Sequence, residues 1–270
     1  MPQTSDDYRV RPNDKVKLSK YKTDDRGGFA DKDEGLKATE KNLKHLLELQ
    51  GVLYAEAKHA VLVVLQAMDA GGKDGAISHI FTGVNPQGCV VTSFKVPTPL
   101  ERRHDFLWRH HAHCPPRGMI GVHNRSHYES VLVERVHNLV PKSVWKGRYD
   151  IINEFEASLA AEGTTILKFF LHISKEEQKR RFEDRLNDPE KMWKFSATDA
   201  QERQYWDDYQ AAYEELLDRC STSAAPWYVV PSDHKWFRNW VISDALARTL
   251  KSLKMEFPEP EEGLVNVKVV

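Results

Sequence analysis

Val61-Leu-Val-Val-Leu-Gln-Ala67-Met-Asp69-Ala-Gly-Gly72-Lys73-Asp-Gly75 reads as a buried strand that runs into a glycine-rich loop and ends on a lysine at a helix start. The amides of such a loop point inward, the following helix adds partial positive charge at its N-terminus, and Lys73 adds a full charge, so phosphate oxygens meet donors on several sides. Ala70, Gly71, Gly72, Lys73, Asp74 and Gly75 are therefore candidate phosphate contacts. The common P-loop (Walker A) spacing, G-x-x-x-x-G-K-[ST], is met only in part: Ala67 takes the place of the first glycine and Asp74 that of the hydroxyl that touches magnesium. Asp69 is unusual inside such a loop. A carboxylate there repels bare phosphate but suits a divalent cation that the phosphate shares, which makes Asp69 the candidate metal ligand. The competing reading is packing alone, with Gly71 and Gly72 at positive φ and the Lys73 amine in solvent.

Outward from the loop, strand patterns recur at 61–66, 89–94, 118–123, 164–173 and 227–230, with segments between them long enough for crossover helices. Such alternation implies an α/β domain: a five-stranded parallel sheet covered by helices on both faces. An amphipathic helix is predicted over 36–58, and others from near Lys73, Pro99 (with Thr98 as cap), Ser126 and Ser174, over 149–161, and from His234 to about Lys254. Residues 1–34 are polar and turn-rich, an arm laid on the surface. Residues 35–254 form the domain and 255–270 a surface tail.

Composition narrows the function classes. The formal net charge of −1 and the scattered basic residues resemble neither a nucleic-acid-binding arm nor a polybasic membrane patch, so any anion grip is local. Cys89, Cys114 and Cys220 are too few and too scattered for a disulfide framework, and no apolar run approaches the ~20 residues that cross a bilayer. The expected address is the cytoplasm.

Ligands of an open parallel sheet sit at the carboxyl ends of its strands, which brings Asn124 and Arg125, after the third strand, beside the loop. Arg125 can neutralise charge on a transferring phosphoryl group, with Glu129 one turn on to orient it or to hold a metal-bound water. The alternative is a helix cap with Arg125 in a structural ion pair. Lys95 leaves the second strand on the same edge, within reach of a phosphate chain. Residues 176–206 carry a dense basic and aromatic run, the lid candidate. Arg181 and Arg185 stand four apart on one helix face, a repulsion that an anion between them offsets; a solvated charged face beside Glu183 and Asp184 is the plainer account. His104, His110, His111, His113 and Cys114 fall at helical spacing, but a structural zinc needs four converging ligands, so stacking on Trp108 or Phe106 or core hydrogen bonding is the preferred reading.

In this order, Asp69-Ala-Gly-Gly-Lys-Asp-Gly75, Phe94-Lys-Val-Pro-Thr98, Asn124-Arg-Ser-His-Tyr-Glu129 and Trp193-Lys-Phe195 resemble the polyphosphate kinase 2 family over about residues 35–252. The resemblance implies a three-layer P-loop kinase-like fold with a helical lid, transferring phosphate from inorganic polyphosphate to AMP or ADP with Mg2+ or Mn2+. It also implies a homo-oligomer, ATP as product and guanine nucleotides as further substrates, without nucleic-acid or membrane partners. It assigns Asp69 to metal and phosphate positioning, Lys73 to the phosphate cradle, Arg125 to charge stabilisation, and Arg181, Arg185, Lys191 and Lys194 to the lid or phosphate channel. Many family members have Asp where this chain has Asn124, which throws metal binding onto Asp69 and Glu129. The second and third motifs are similar to the branch that accepts both nucleoside mono- and diphosphates. An ATP-dependent nucleotide or metabolite kinase and a non-catalytic phosphate sensor are the rival functions.

Overall fold

Every residue of β1, Ala60–Ala67, is buried. In the computed structural model, which describes residues 3–263, this strand lies at the centre of a five-stranded sheet of order β2-β3-β1-β4-β5. All pairings are parallel: β2 (Cys89–Ser93) with β3 (Ile120–Asn124), β3 with β1, β1 with β4 (Thr164–His172), and β4 with β5 (Trp227–Pro231). Each predicted strand is present with ends within two residues of those expected.

The helices follow in alternation: α1 (Lys32–Glu56), α2 (Lys73–Ile80), the short α3 (Trp108–His111) and α4 (Val133–Val136), α5 (Lys142–Ala161), α6 (Lys175–Leu186), α7 (Ala197–Glu202), α8 (Trp206–Cys220) and α9 (Lys235–Ser252). Alternation along β1 divides the core in two. Val61, Val63 and Leu65 pack with Leu46, Phe237 and Val241 under α1 and α9. Leu62 and Val64 pack with Tyr149, Ile152 and Leu216 under α5 and α8. Two covered faces are why the strand has no polar side, and why only Gln66 interrupts its apolar run.

Three local expectations change. The helix predicted from Pro99 is a single 3-10 turn, Glu101–Arg103, before the four-residue α3. Thr98 and Glu101 exchange a reciprocal pair of hydrogen bonds, the Glu101 amide donating to Thr98 Oγ1 (3.2 Å) and the Thr98 amide to Glu101 Oε2 (2.6 Å), but the residue at the cap of the turn is Leu100, which makes no side-chain cap bond. Val96 and Leu100 are 77% and 58% exposed, so no apolar face holds a longer helix. At Ser126 the serine caps a 3-10 turn, His127–Ser130, because His127 and Tyr128 both turn into the interior. Helix α5 begins at Lys142, seven residues before the predicted start, because its polar first turns hide the period.

The N-terminal arm is part of the core rather than a strap over it. Tyr8, Val10, Val16 and Leu18 are buried. The Val10 amide donates to Trp227 O (2.8 Å) along the β5 edge, and the Val16 and Leu18 amides donate to Asp218 and Glu214 of α8. Of the predicted tail, residues 264–270 lie outside the described residues.

Candidate functional site

All five strands end on one edge of the sheet, and the loop after β1 lies at the point where the chain order reverses. Here Gly71 donates to Met68 O (3.0 Å), Lys73 Nζ reaches back to Ala67 O (3.1 Å), and the α2 ladder starts with Ala76 donating to Gly72 O (2.9 Å). The amides of Lys73, Asp74 and Gly75 belong to the first helical turn, which has no intrahelical acceptors and so offers its donors outward. Ala67 explains itself by shape. A Cβ on Gly71 would lie 2.4 Å from the Ala67 methyl and 2.8 Å from Met68 O, so the glycine needed inside this turn is residue 71.

Each of the six residues Asn124–Glu129 has its own partners. Arg125 N donates to Leu65 O (3.0 Å), which carries the ladder one residue past β3 and holds Arg125 at φ +63°. Arg125 then bridges two carboxylates, Nη2 to Asp69 Oδ1 (2.8 Å) and Nη1 to Glu129 Oε2 (3.2 Å). Glu129, with Asp69, holds the guanidinium charged against its partial burial. Gln66 Nε2 steadies Glu129 in turn (3.1 Å). Asn124 Nδ2 donates to Asp74 Oδ1 (2.7 Å), so the two departures from the common motifs are partners: the amide at 124 orients the carboxylate at 74. Ser126 caps the turn. His127 and Tyr128 both donate to Glu156, whose second oxygen pairs with the wholly buried Lys168.

The opposite wall comes from α6, the residues after it, and α9. A cleft of about 700 Å³ joins the loop to Lys95 and Asn124 on one flank and to Arg185, Lys191 and Asp199 on the other. Eight Lys or Arg residues line it against four Asp, a local excess of positive charge in a chain of formal charge −1. Arg181 is in that wall, but its donors go to Glu177 Oε1 (2.7 Å), Ala70 O (2.9 Å) and Ser232 O. The repulsion between Arg181 and Arg185 is thus met by Glu177 and main-chain carbonyls. Beside it, Gln178 Nε2 holds Asp69 O (2.9 Å). The base of the predicted lid is therefore tied to the carbonyls of Asp69 and Ala70, the latter residue at φ +57°. The side chain of Lys194, in the turn Met192–Lys194, lies outside the described residues.

Burial pushes the Lys73 ammonium down to about 8, with Arg125 adding to the effect while Asp69, Glu129 and Asp74 oppose it. Lys73 is a cation short of counter-charge until an anion arrives. The histidine run is structural in its contacts: His104 stacks on Trp108 at 4.0 Å, and His110 packs on Phe94 at 4.2 Å with burial pushing its pKa far down. Lys235 and Arg238 of α9 also line the cleft, and neither was a candidate in the sequence. The signal present is a basic residue beside Phe237 within an otherwise apolar helical stripe.

The family model for polyphosphate kinase 2 matches residues 29–258. The chain is similar to the AMP/ADP-polyphosphate phosphotransferase of Meiothermus ruber, with 53% identity over 255 residues that cover 94% of this chain and 96% of the relative. It is similar also to the ADP-polyphosphate phosphotransferase of Rhodopseudomonas palustris, with 48% identity over 93% of this chain and 91% of the other. The crystal structure of polyphosphate kinase 2 from Arthrobacter aurescens superposes with a TM-score of 0.94 at 38% identity, over 98% of this chain and 95% of that one.

Proposed function

The chain belongs to the polyphosphate kinase 2 family, and we propose that it transfers the terminal phosphate of inorganic polyphosphate reversibly to AMP and ADP, forming ADP and ATP. The observation that carries this reading is the single cleft in which the loop, Arg125 and the basic α6 flank face one another. One phosphoanhydride replaces another, and the attacking phosphate oxygen is already ionised. Positioning and charge neutralisation therefore suffice, without a strong general base. Lys73 and the first-turn amides hold the phosphate that is transferred, Arg125 meets the charge that spreads over it, and Lys95, Arg185 and Lys191 hold the rest of the two chains.

Mg2+ or Mn2+ fits the donors present. Asp69 and Asp74 both line the cleft with hard oxygens, and Arg125 and Asn124 engage Oδ1 of each. One or two carboxylates plus substrate phosphates is the usual magnesium environment. A bound cation there would draw charge from the phosphate oxygens, and Asn124 would serve it through Asp74. Guanine nucleotides as further acceptors, a homo-oligomeric assembly and a cytoplasmic address complete the proposal. The address is supported by three cysteines that are all free thiols.

Purified protein given polyphosphate, Mg2+ and either AMP or ADP should yield ADP or ATP, resolved by nucleotide chromatography; folded protein that forms neither from either acceptor refutes the assignment. The state of Lys73 adds a pH signature. A lysine lowered to about 8 is protonated below that value and loses its charge above it. The kcat/KM for polyphosphate should therefore fall on the alkaline limb with a break near 8, while kcat breaks at higher pH because bound phosphate restores the proton. A flat kcat/KM between about pH 7 and 9.5 would contradict the cradle role of Lys73.

A further inference from the structure

Arg238 is 2% exposed, yet it lines the cleft. Its Nη1 sits 2.0 Å from where a Cβ on Gly72 would be, and its Nη2 3.7 Å from the same position on Gly75, so the guanidinium lies against the loop on both sides of Lys73. Gly72, at φ +99°, is required there twice over, by conformation and by the arginine that occupies its side-chain space. Nε and Nη2 donate to Asn239 Oδ1 (3.1 and 2.8 Å), a neutral acceptor. Among the described residues Nη1 has no acceptor and no carboxylate pairs with Arg238. Its charged neighbour is another cation, Arg181, whose Nη1 lies 3.4 Å from the same Gly72 position.

A buried guanidinium without a counter-ion is unfavourable, and arginines that only brace a fold are paired, as Arg135 is with Glu215 and Arg148 with Glu134. Burial and Arg181 together push Arg238 down to about 9, which leaves it charged at neutral pH. Lys235, three residues earlier on α9, is lowered by burial and then by Arg181, Arg180 and Arg238. This part of the cleft holds uncompensated positive charge on a preformed wall, the condition an anion relieves.

We propose that Arg238 is a phosphate-binding residue, its Nη1 donating to an oxygen of the phosphate seated on the amides of the turn Gly72 to Gly75. The proposal rests on the phosphotransferase reading. The shared chemistry is a phosphoanhydride chain, and its source is either the polyphosphate donor or the nucleotide.

The test compares wild type, Arg238→Met and Arg238→Lys by calorimetric titration with inorganic tripolyphosphate and, separately, with ADP, alongside melting curves and the KM for each substrate. Arg238→Met should bind one of the two at least about tenfold more weakly and leave the other within about twofold, since a hydrogen bond to a charged group has that weight. Loss of tripolyphosphate affinity identifies the donor chain and loss of ADP affinity the nucleotide. Arg238→Lys keeps the charge without the fork, and should weaken the same ligand by about threefold, which also covers a failure of Arg238→Met to fold. Unchanged affinity for both ligands in folded variants overturns the proposal, as does equal weakening of both with a lowered melting temperature. Wild-type protein that turns over no polyphosphate would count against the family activity instead, so the two failures are distinguishable.

Discussion

Arg125→Lys is expected to lower the rate of phosphoryl transfer about a thousandfold, with the KM for either substrate changed only a few-fold. The native guanidinium meets Asp69 through Nη2 and Glu129 through Nη1, two directions at once from one rigid plane. A lysine ammonium keeps the charge but cannot span both carboxylates while also facing a phosphate. Lysine would settle on one carboxylate, and the charge that develops on the transferring group would lose a donor already in place. Both ion pairs are partly exposed, with the Arg125 side chain at 34%, so their weight in folding is about 1 kcal/mol or less and the melting temperature should barely move. Steady-state kinetics with saturating polyphosphate and ADP provide the check. A loss smaller than about tenfold would remove Arg125 from the reacting centre and return it to the ion-pair reading.

The loop was legible because its requirements are local. A strand, two glycines, a lysine and a helix start follow one another within fifteen residues, and each is tied to a backbone conformation or a charge. The position of Asn124 and Arg125 beside it was legible by a rule of parallel sheets, although the strand order itself emerges only from packing. What escaped depends on partners far away in sequence. Val10, Val16 and Leu18 sit among polar residues without any period, and their burial is decided by the β5 edge and by carboxylates of α8. Arg181 reads as a lid cation because, besides Glu177 one turn earlier, its acceptors Ala70 O and Ser232 O are main-chain atoms with no side-chain signature. Arg238 is hidden by its neighbours Phe237, Trp240 and Val241, which mark α9 as a core helix.

The asparagine at 124 shows how a departure from a motif can be repaired within the same site. The amide carries no charge for a cation, but it holds Asp74, the very residue that replaces the usual hydroxyl. Two carboxylates, Asp69 and Asp74, stand at the loop mouth, Asp74 held by Asn124 at the end of β3 and Asp69 by Arg125 directly after it.

The largest effect on stability is expected from Lys168→Met, a loss of about 3–5 kcal/mol and a fall of roughly 10 °C in melting temperature. Lys168 is fully buried and gives its protons to Tyr128 Oη (2.7 Å), Cys220 O (2.7 Å) and Glu156 Oε2. Burial alone would raise the Glu156 carboxyl, but Lys168 and His127 outweigh it and hold the pKa below the ordinary value. Methionine removes the cation and leaves a carboxylate in the interior, where burial then raises its pKa. The sign for pH follows. A carboxyl raised in the fold contributes stability at low pH and loses it as pH rises, so the gap between variant and wild type should be wider at pH 8 than at pH 5. Lys168→Met combined with Glu156→Gln removes the stranded charge and keeps an acceptor for His127 and Tyr128, so it should recover at least half of the lost stability. The same two residues sit directly after Arg125-Ser126, and loosening their anchor frees the turn that aims Arg125. Turnover of Lys168→Met should accordingly fall further than its folded fraction, and in the double variant it should recover with the melting temperature. Thermal melts at the two pH values, paired with polyphosphate turnover at a temperature where both variants are folded, decide it. A single variant as stable as wild type, or one whose activity tracks the folded fraction alone, would show that the buried pair does not support the site.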